Sequence, residues 1–330
     1  MTLRAFLAKR LIYTVVLIVF IVVLNFIIFQ AMPGLQGNFY NVLFSRSRLP
    51  PGEYEKLVAQ YGLNQSIYVR FQDYVTNLLT FNFGYSYTDG QPVSQEIVQS
   101  GRLFNTLLLL GSSGIISIII GILLGIVVST RRGSSVDNFW VTSSLVTFSL
   151  PTFFLGIILI FIFAIGLGWF PSAGSPNLIG LSWLQILYDI PNMAYVLFLP
   201  ALTLTLFTYG GFLLLTRATM IEVLNEDYIV TARAKGLSRR VILLRHAFKN
   251  ASLPLITASA LNFAFILSGA VITETVFTYN GLGYWLFNAI TSKDWPVLEA
   301  MFYIIALMVV AANLISDILY GMVDPRIKYE

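Results

Sequence analysis

The run LIYTVVLIVFIVVLNFIIFQ, residues 11–30, contains no charged residue and sets the class of fold. At about 1.5 Å of rise per residue, a helix of this length matches the hydrocarbon core of a bilayer, which is about 30 Å thick. Arg4, Lys9 and Arg10 precede the run, so a cleaved signal peptide is the alternative. The run is long for a signal peptide, and no small-x-small cleavage site follows it. We therefore predict an uncleaved transmembrane anchor in residues 1–30.

The composition of the whole chain is typical of a membrane protein. Of its 330 residues, 57% are hydrophobic and 11% are charged, whereas soluble domains carry roughly 25% charged residues. The net charge of +4 comes from basic residues beside apolar runs, so it does not indicate a nucleic-acid surface. The chain has no cysteine and a single histidine, His246, which excludes disulfides and cysteine metal sites. We predict no metal site and no nucleic-acid partner, with membrane lipid as the surrounding medium.

Five further apolar runs have the length of membrane spans and are bounded by Gly, Pro or charged residues. We predict an all-α integral membrane protein with six transmembrane helices. Pro151 lies at the middle of the third run, which is therefore either one tilted or kinked helix or two short segments. The predicted spans are Leu11–Gln30, Thr106–Val128, Phe139–Gly168, Tyr195–Thr216, Leu253–Phe277 and Glu299–Tyr320.

The distribution of basic residues favours a single third span and sets the orientation. Residues 169–194 contain no Lys or Arg, whereas residues 217–252 contain seven. Because short cytoplasmic loops are rich in Lys and Arg, we predict the first segment outside, the second inside and both termini cytoplasmic. The chain then divides into the anchor, an extracytoplasmic subdomain over residues 31–105, and a five-helix core over residues 106–330 that contains the cytoplasmic loop 217–252.

The segment between the first two spans is predicted to be a small and mainly helical subdomain. Three stretches have an amphipathic pattern with helical spacing, namely Glu53–Tyr61, Ser66–Leu79 and Val93–Gln99. This subdomain is the one sizeable part of the chain that we predict outside the membrane.

Residues that would support catalysis or nucleotide binding are missing. No G-x-x-x-x-G-K-[ST] phosphate loop occurs in the sequence. A serine-type membrane enzyme needs a base beside its nucleophile, and His246 lies in the basic loop instead. Glu274 and Asp317 are the only acidic residues well inside apolar spans, and their spans place them near opposite faces of the membrane. We predict no catalytic residue and no cofactor in this chain.

The most specific pattern is DYIVTARAKGL, residues 227–237. Asp227 is predicted to cap a short helix over Tyr228–Lys235, because a carboxylate accepts from free N–H groups at a helix start. Gly236 suits the left-handed end of that helix, and Ser238 suits the start of the next one. The short helix would lie across the inner face of the membrane.

The exposed side of this short helix has two interpretations. Ala232 and Ala234 are small enough to let another backbone approach closely, and Arg233 and Lys235 would pair with acidic groups of a partner. The alternative is a basic amphipathic connector that rests on anionic lipid. The physical properties of these residues leave both interpretations open.

The same run resembles the coupling loop of permease subunits of dipeptide, oligopeptide and nickel ABC importers, with Arg245-His246-Ala247 and Leu253-Pro254 following as in that family. In the general importer-permease motif Glu-Ala-Ala precedes the glycine, whereas Val230-Thr231-Ala232 stands here, as in the peptide class. Other short motifs that resemble those of the family occur along nearly the whole chain, in the same order and with similar spacing. They are Phe83-Gly84-Tyr85-Ser86, Ser149-Leu150-Pro151-Thr152-Phe153, Leu199-Pro200-Ala201-Leu202-Thr203, Glu274-Thr275-Val276-Phe277, Gly281-Leu282-Gly283 and Asp324-Pro325-Arg326.

The resemblance implies a type I ABC importer permease fold and a translocation subunit without catalysis of its own. It implies a homologous second permease subunit in a heterodimer, two cytoplasmic ABC ATPase subunits that bind ATP and Mg, and an extracytoplasmic solute-binding protein. The implied substrate is a di- or oligopeptide, with an oligosaccharide or a nickel complex as alternatives and a secondary transporter as the competing class. The residues implied to couple to the ATPase are Asp227, Tyr228, Thr231, Ala232, Arg233, Ala234, Lys235 and Gly236.

Polar groups within the spans are the candidates for a translocation pathway. They are Asn25, Asn262, Asn313 and Glu274, and such groups usually face a bundle interior or a water-filled cavity. Interhelical hydrogen bonding is the favoured alternative for the asparagines. For Glu274, which lies close to the outer end of its span, an interfacial carboxylate is favoured over a gate.

A further pattern concerns helix packing in the second span. Gly121 and Gly125 form a small-x-x-x-small pair, which suits the close approach of another helix. The motif is common, so it does not identify the partner helix.

Overall fold

A computed structural model describes residues 3–31, 65–177 and 183–323 of the chain. Within these ranges the regular structure is helical, with one isolated bridge between Tyr85 and Pro92. The predicted helix Glu53–Tyr61 and the motif Asp324-Pro325-Arg326 lie outside the described residues.

The described residues form helices that we number in chain order, and π-helical segments continue three of them. The helices are α1 (Leu3–Phe26, continued by Ile27–Ala31), α2 (Ile67–Leu79), α3 (Val93–Gln99), α4 (Arg102–Ser129), α5 (Ser135–Ser149), α6 (Thr152–Leu159, continued by Ile160–Gly166), α7 (Trp183–Leu224), α8 (Asp227–Ala234), α9 (Arg239–Val241, continued by Ile242–Ala247), α10 (Phe248–Val276), α11 (Leu282–Ser292) and α12 (Trp295–Val323).

The described helices agree with the positions of the predicted spans. Four stretches are long and apolar enough to cross a membrane, and the bent pair α5 and α6 makes a fifth if it is counted as one span. The predicted span Leu253–Phe277 lies almost entirely within α10. The number of six spans and the location of the termini stay predictions. The four stretches are Leu7–Ala31, Arg102–Ser129, Tyr188–Leu224 and Trp295–Ile318.

The third predicted span bends sharply at Pro151. The axes of α5 and α6 differ by 108° across this break. Leu150 is extended, with φ −79° and ψ 138°, as expected for a residue that precedes proline. Pro151 has no N–H to donate to the preceding turn, so the helix restarts at Thr152 in a new direction.

The helix α7 forms the centre of the bundle and contacts α4, α5, α6 and α10. It has 42 residues and remains helical through Pro191 and Pro200. A Cβ on Gly121 of α4 would lie 2.4 Å from Phe212 Cβ of α7. A Cβ on Gly125 would likewise lie 2.4 Å from Thr216 Cβ. The two glycines therefore allow α4 and α7 to pack closely, as their spacing indicated.

Gly121→Ala is expected to lower the free energy of unfolding by about 1–3 kcal/mol, the usual cost of an overpacked core. The added methyl group would also lie 2.7 Å from the Tyr209 carbonyl oxygen, so α4 and α7 must move apart. Gly111→Ala, on the same helix, is the matched control because nothing lies within 4 Å of its Cβ. Unfolding in mixed micelles measures both variants. An equal loss in the two would exclude close packing at Gly121 as the cause.

A second core joins α1, α2 and α3 to α11 and α12. Phe26 of α1 packs on Phe71 and Tyr74 of α2, with ring centroids 5.0 and 5.4 Å apart. The amphipathic stretches Ser66–Leu79 and Val93–Gln99 are helical, as α2 and α3. These two helices lie near the N-terminal end of α4, whereas α8 and α9 lie near its C-terminal end.

Candidate coupling site at the basic end of the bundle

We call the end of the bundle that carries α8 and α9 the basic end. The short helix α8 begins at Asp227, and Glu226 occupies the N-cap position with φ −72° and ψ 146°. Glu226 makes no side-chain capping bond, and the prediction that Asp227 is the cap is wrong by one residue. Asp227 instead lies in the first turn, where a negative charge interacts favourably with the helix dipole.

The end of α8 follows the prediction. Lys235 is the C-cap residue, and Gly236 has φ +73°, a left-handed conformation that glycine adopts readily. Ser238 is the N-cap of α9, as predicted. A Cβ on Gly236 would meet nothing within 4 Å. A side chain at Gly236 is therefore disfavoured by the backbone conformation and not by a clash.

The two faces of α8 differ from the prediction at one residue. Ile229 is fully buried and Ala232 is 5% exposed, and both belong to a buried cluster with Met220 of α7. The prediction that Ala232 lies on the exposed side is wrong, because its side chain is enclosed by the bundle. Thr231 and Ala234 are exposed, as expected of residues that meet a partner.

The exposed face of α8 is held in place by a side chain from α10. Asn250 Nδ2 donates a hydrogen bond of 2.7 Å to the hydroxyl oxygen of Tyr228. The Tyr228 side chain is exposed, and so are Val230, Arg233 and Lys235. The helix thus presents aromatic, aliphatic and basic side chains to its surroundings.

An ion pair between the buried Asp137 and the half-buried Arg217 ties α5 to α7 at the same end of the bundle. Arg217 Nε and Nη2 donate to the two carboxylate oxygens of Asp137, each at 2.7 Å. Asp137 is 2% exposed and also accepts from the Gly133 N–H at 2.9 Å. Paired N–H···O bonds of this kind fix orientation as well as distance. The pair therefore sets the position of the turn between α4 and α5 relative to α7.

The sequence indicates only part of this ion pair. Arg217 is one of several basic residues in the loop 217–252, and the sequence assigns it no partner. Ser134 and Asp137 have the S-x-x-D spacing of a capping box, and the Asp137 N–H donates to Ser134 Oγ at 3.3 Å. Arg217 lies 80 residues further along the chain. No local pattern connects it to Asp137, so the pair could not be predicted.

A groove with a volume of about 560 Å³ opens beside α8. It lies between the C-terminal ends of α4 and α7 and the segment that runs from α8 through α9. Its lining combines two arginines and two hydroxyl residues with four apolar residues: Ser129, Thr130, Leu224, Arg233, Leu237, Arg239, Ile242 and Leu243.

At the opposite end of the bundle, Glu274 is fully buried between α4, α10 and α11. Thr106 Oγ1 donates to its Oε1 at 2.7 Å, and the Tyr284 N–H donates to its Oε2 at 3.0 Å. The expectation of an interfacial carboxylate is wrong, because the side chain lies inside the protein and bonds to two other elements.

The turn after α10 is fixed to the start of α4 by further hydrogen bonds. The Tyr279 hydroxyl donates to the Asn105 carbonyl oxygen at 3.0 Å, and Asn105 Nδ2 donates to the Asn280 carbonyl oxygen at 2.9 Å. Tyr279 is fully buried, and this burial raises the pKa of its hydroxyl well above the ordinary value. The hydroxyl therefore stays protonated and keeps donating at physiological pH.

The other candidate pathway residues occupy different environments. Asn25 is buried, and its Nδ2 donates to the Glu299 carbonyl oxygen at 3.2 Å, which is the interhelical bonding given as the alternative. Asn262 Nδ2 is buried and has no hydrogen-bond partner among the described residues. Asn313 is half-buried in α12. The hydrogen bonds of the described residues do not join any two of the four candidate side chains.

The fold and the basic end define a helical membrane protein with a short surface helix between two long ones. The family described as "Binding-protein-dependent transport system inner membrane component" matches residues 117–329, more than half of the chain. The chain therefore belongs to this family. It is a permease subunit of an ABC importer in the inner membrane and not itself an enzyme. Such subunits work with ATPases and a solute-binding protein.

Three relatives match along almost their full length. The oligopeptide transport system permease protein AppB of Bacillus subtilis is 36% identical over 98% of this chain and 99% of its own. The di/tripeptide transport system permease protein DppB of Pseudomonas aeruginosa is 33% identical over 99% of each chain. The glutathione transport system permease protein GsiC of Salmonella typhimurium is 32% identical over 98% of each.

One solved structure also resembles the chain. It shows inward-facing conformations of the MetNI methionine ABC transporter, and its matching chain is 16% identical with a TM-score of 0.48. The match covers 68% of this chain and 95% of that one.

Proposed function

We propose that this chain forms half of a heterodimeric permease with a type I importer fold, and that it passes di- or oligopeptides across the membrane. The observation that carries the proposal is the exposed face of α8 at the basic end, whose position is fixed by α7 and α10. In this proposal α8 docks on one of two ATPase subunits, which bind ATP and Mg. The ATPase pair closes around ATP, and α8 transmits that motion to the spans.

The proposed docking residues are the members of the predicted set that have an exposed side chain. They are Asp227, Tyr228, Thr231, Arg233, Ala234 and Lys235. Ala232 and Gly236 support the docking surface, the first by packing against α7 and the second by ending the helix. ATP must favour one state of the permease by differential binding, and a loosely docked helix transmits less of that preference.

The proposed topology has six spans with both termini in the cytoplasm. The excess of Lys and Arg at the basic end supports its cytoplasmic location. The anchor (1–30), the outer subdomain (31–105) and the five-helix core (106–330) then act as three parts, with the coupling loop 217–252 facing the ATPases. The solute-binding protein would deliver substrate to the opposite end.

Peptides are the proposed substrate class because three relatives that match this chain end to end are named for oligopeptides, di- and tripeptides and glutathione. All three names denote molecules with amide bonds and charged termini. Asn25, Asn262, Asn313 and Glu274 are retained as candidate pathway residues. Their amide and carboxyl groups are suited to polar backbone groups of a peptide in a conformation that exposes them.

The experiment that tests the proposal is purification of the tagged chain in mild detergent from its native membrane, followed by identification of the proteins that co-purify. We expect a second permease subunit and two ATPase chains with phosphate-loop motifs. The binding protein of the same system should then retain di- or oligopeptides in a ligand screen. Recovery of the chain alone or as a homo-oligomer, with uptake driven by protons or sodium, would contradict the proposal.

A further inference from the structure

The groove beside α8 combines positive charge with an apolar wall. Arg233 and Arg239 contribute guanidinium groups to its lining, and Ser129 and Thr130 contribute hydroxyl groups. Arg239 Nη2 also donates to the Thr130 carbonyl oxygen at 3.5 Å, which holds one guanidinium at the C-terminal end of α4. The hydroxyl groups of Ser129 and Thr130 already donate to carbonyl oxygens in the last turn of α4. The two guanidinium groups are therefore the donors that an anion meets on one side of the groove.

The other half of the lining is aliphatic and comes from different elements. Leu224 ends α7, Leu237 follows α8, and Ile242 and Leu243 continue α9. A purely anionic ligand such as a free phosphate would leave this surface uncovered. An amphiphile with an anionic headgroup would cover it with hydrocarbon while its charge meets the arginines.

The depth of the groove agrees with an amphiphile. Ser129 is the last residue of α4, a 28-residue helix that is long and apolar enough to cross a membrane. Arg131 and Arg132 follow almost at once and are exposed. The groove therefore lies where a spanning helix leaves the hydrocarbon core, at the level of lipid headgroups.

Charged residues around the groove are mostly basic. Exposed basic residues of this end include Arg240 and Arg245, in addition to those of the lining. The exposed acidic residues Glu222, Glu226 and Asp227 lie in the last turn of α7 and at the start of α8 and do not line the groove. The groove and the surface around it therefore carry an excess of positive charge that attracts anions.

We propose that this groove binds the headgroup of an anionic phospholipid of the adjacent leaflet, with an acyl chain against its aliphatic wall. The phosphate accepts from Arg233 and Arg239, since basic pockets at the cytoplasmic ends of spans select anionic headgroups. The inference rests on the proposed function in one respect only: the cytoplasmic location of the basic end, which makes the adjacent leaflet the cytoplasmic one. It requires neither ATP nor an ATPase, and the five N–H donors of Arg233 allow this residue to bind the phosphate and also meet an acidic group of a docked ATPase.

The test is native mass spectrometry of the whole tagged chain, with the subunits that co-purify, after exchange into detergent with equal amounts of phosphatidylglycerol and phosphatidylethanolamine. We expect the chain to retain phosphatidylglycerol preferentially. The double variant Arg233→Gln, Arg239→Gln should lower this preference about thirty-fold, since each basic residue near an anionic surface contributes about a factor of five.

The matched control is the double variant Arg240→Gln, Arg245→Gln, which removes the same charge from exposed positions outside the groove. It should keep most of the preference. An equal loss in both double variants would overturn the groove as the site, and so would an absence of any preference in the unaltered chain. Lipid retention is measured without ATP. A loss of lipid preference would therefore count against the groove, whereas a failure to recover ATPase subunits would count against the proposed function.

Discussion

Arg217→Met is expected to lower the free energy of unfolding by about 2–3 kcal/mol, because it leaves the buried Asp137 carboxylate without its charged partner. Asp137 is 2% exposed, and both of its oxygens accept from Arg217 at 2.7 Å. Met retains much of the side-chain volume, so the loss reports the missing charge and hydrogen bonds. Unfolding of the purified chain in mixed micelles gives the measurement.

The control for this variant is Arg240→Met, which removes an exposed guanidinium from the same end of the protein. It should change stability by no more than about 0.5 kcal/mol. Adding Asp137→Asn to Arg217→Met should recover part of the loss, since the uncompensated charge is then removed. If Arg217→Met were as stable as the unaltered chain, the ion pair would not fix α5 to α7.

Ala234→Phe is expected to reduce ATP-dependent uptake by about ten-fold or more, which corresponds to about 1.4 kcal/mol of lost coupling. Ala234 is exposed on α8, so the larger side chain fits the free subunit but prevents the close approach of a partner. Uptake of a labelled peptide into proteoliposomes that contain the whole transporter measures the effect. The ATPase activity should persist and lose its response to the binding protein.

Ala8→Phe is the matched control, because Ala8 is an exposed alanine of α1. This helix packs against α2 and α12, so the position belongs neither to α8 nor to the end that would receive the solute-binding protein. Uptake should stay near the level of the unaltered transporter. Equal uptake by the Ala234 and Ala8 variants would remove the support for docking through α8.

Most of the helical architecture can be predicted from local sequence. Apolar length identified the long helices, and Gly236 and Ser238 marked the end of α8 and the start of α9 because caps depend on neighbouring residues only. The glycine pair in α4 likewise indicated a close helix contact. These features are set by the residues of one element or by a short spacing.

The errors concern features that depend on several elements. Ala232 was predicted to be exposed, but its environment is set by Met220 of α7 and by the π-helical continuation of α9. Glu274 was predicted at an interface, but Thr106 of α4 and Tyr284 of α11 enclose it. A helix face or the burial of a carboxylate depends on what packs against it, which a single sequence does not specify.

The angle of the bend at Pro151 could not be predicted from composition. Proline disfavours a continuous helix at that position, and the distribution of basic residues favoured one span. Neither observation gives an angle. The 108° between α5 and α6 depends on how α6 packs against α7 and α10.

Docking through α8 can be probed by cysteine cross-linking, for which the natural chain provides a background without cysteine. Ala234→Cys and Ala232→Cys lie two residues apart on α8, one exposed and one 5% exposed. With a short bifunctional maleimide, we predict that Ala234→Cys forms a cross-link to an ATPase subunit that carries a surface cysteine, and that Ala232→Cys does not. Absence of the Ala234→Cys cross-link in an assembled and active transporter would contradict docking through this helix.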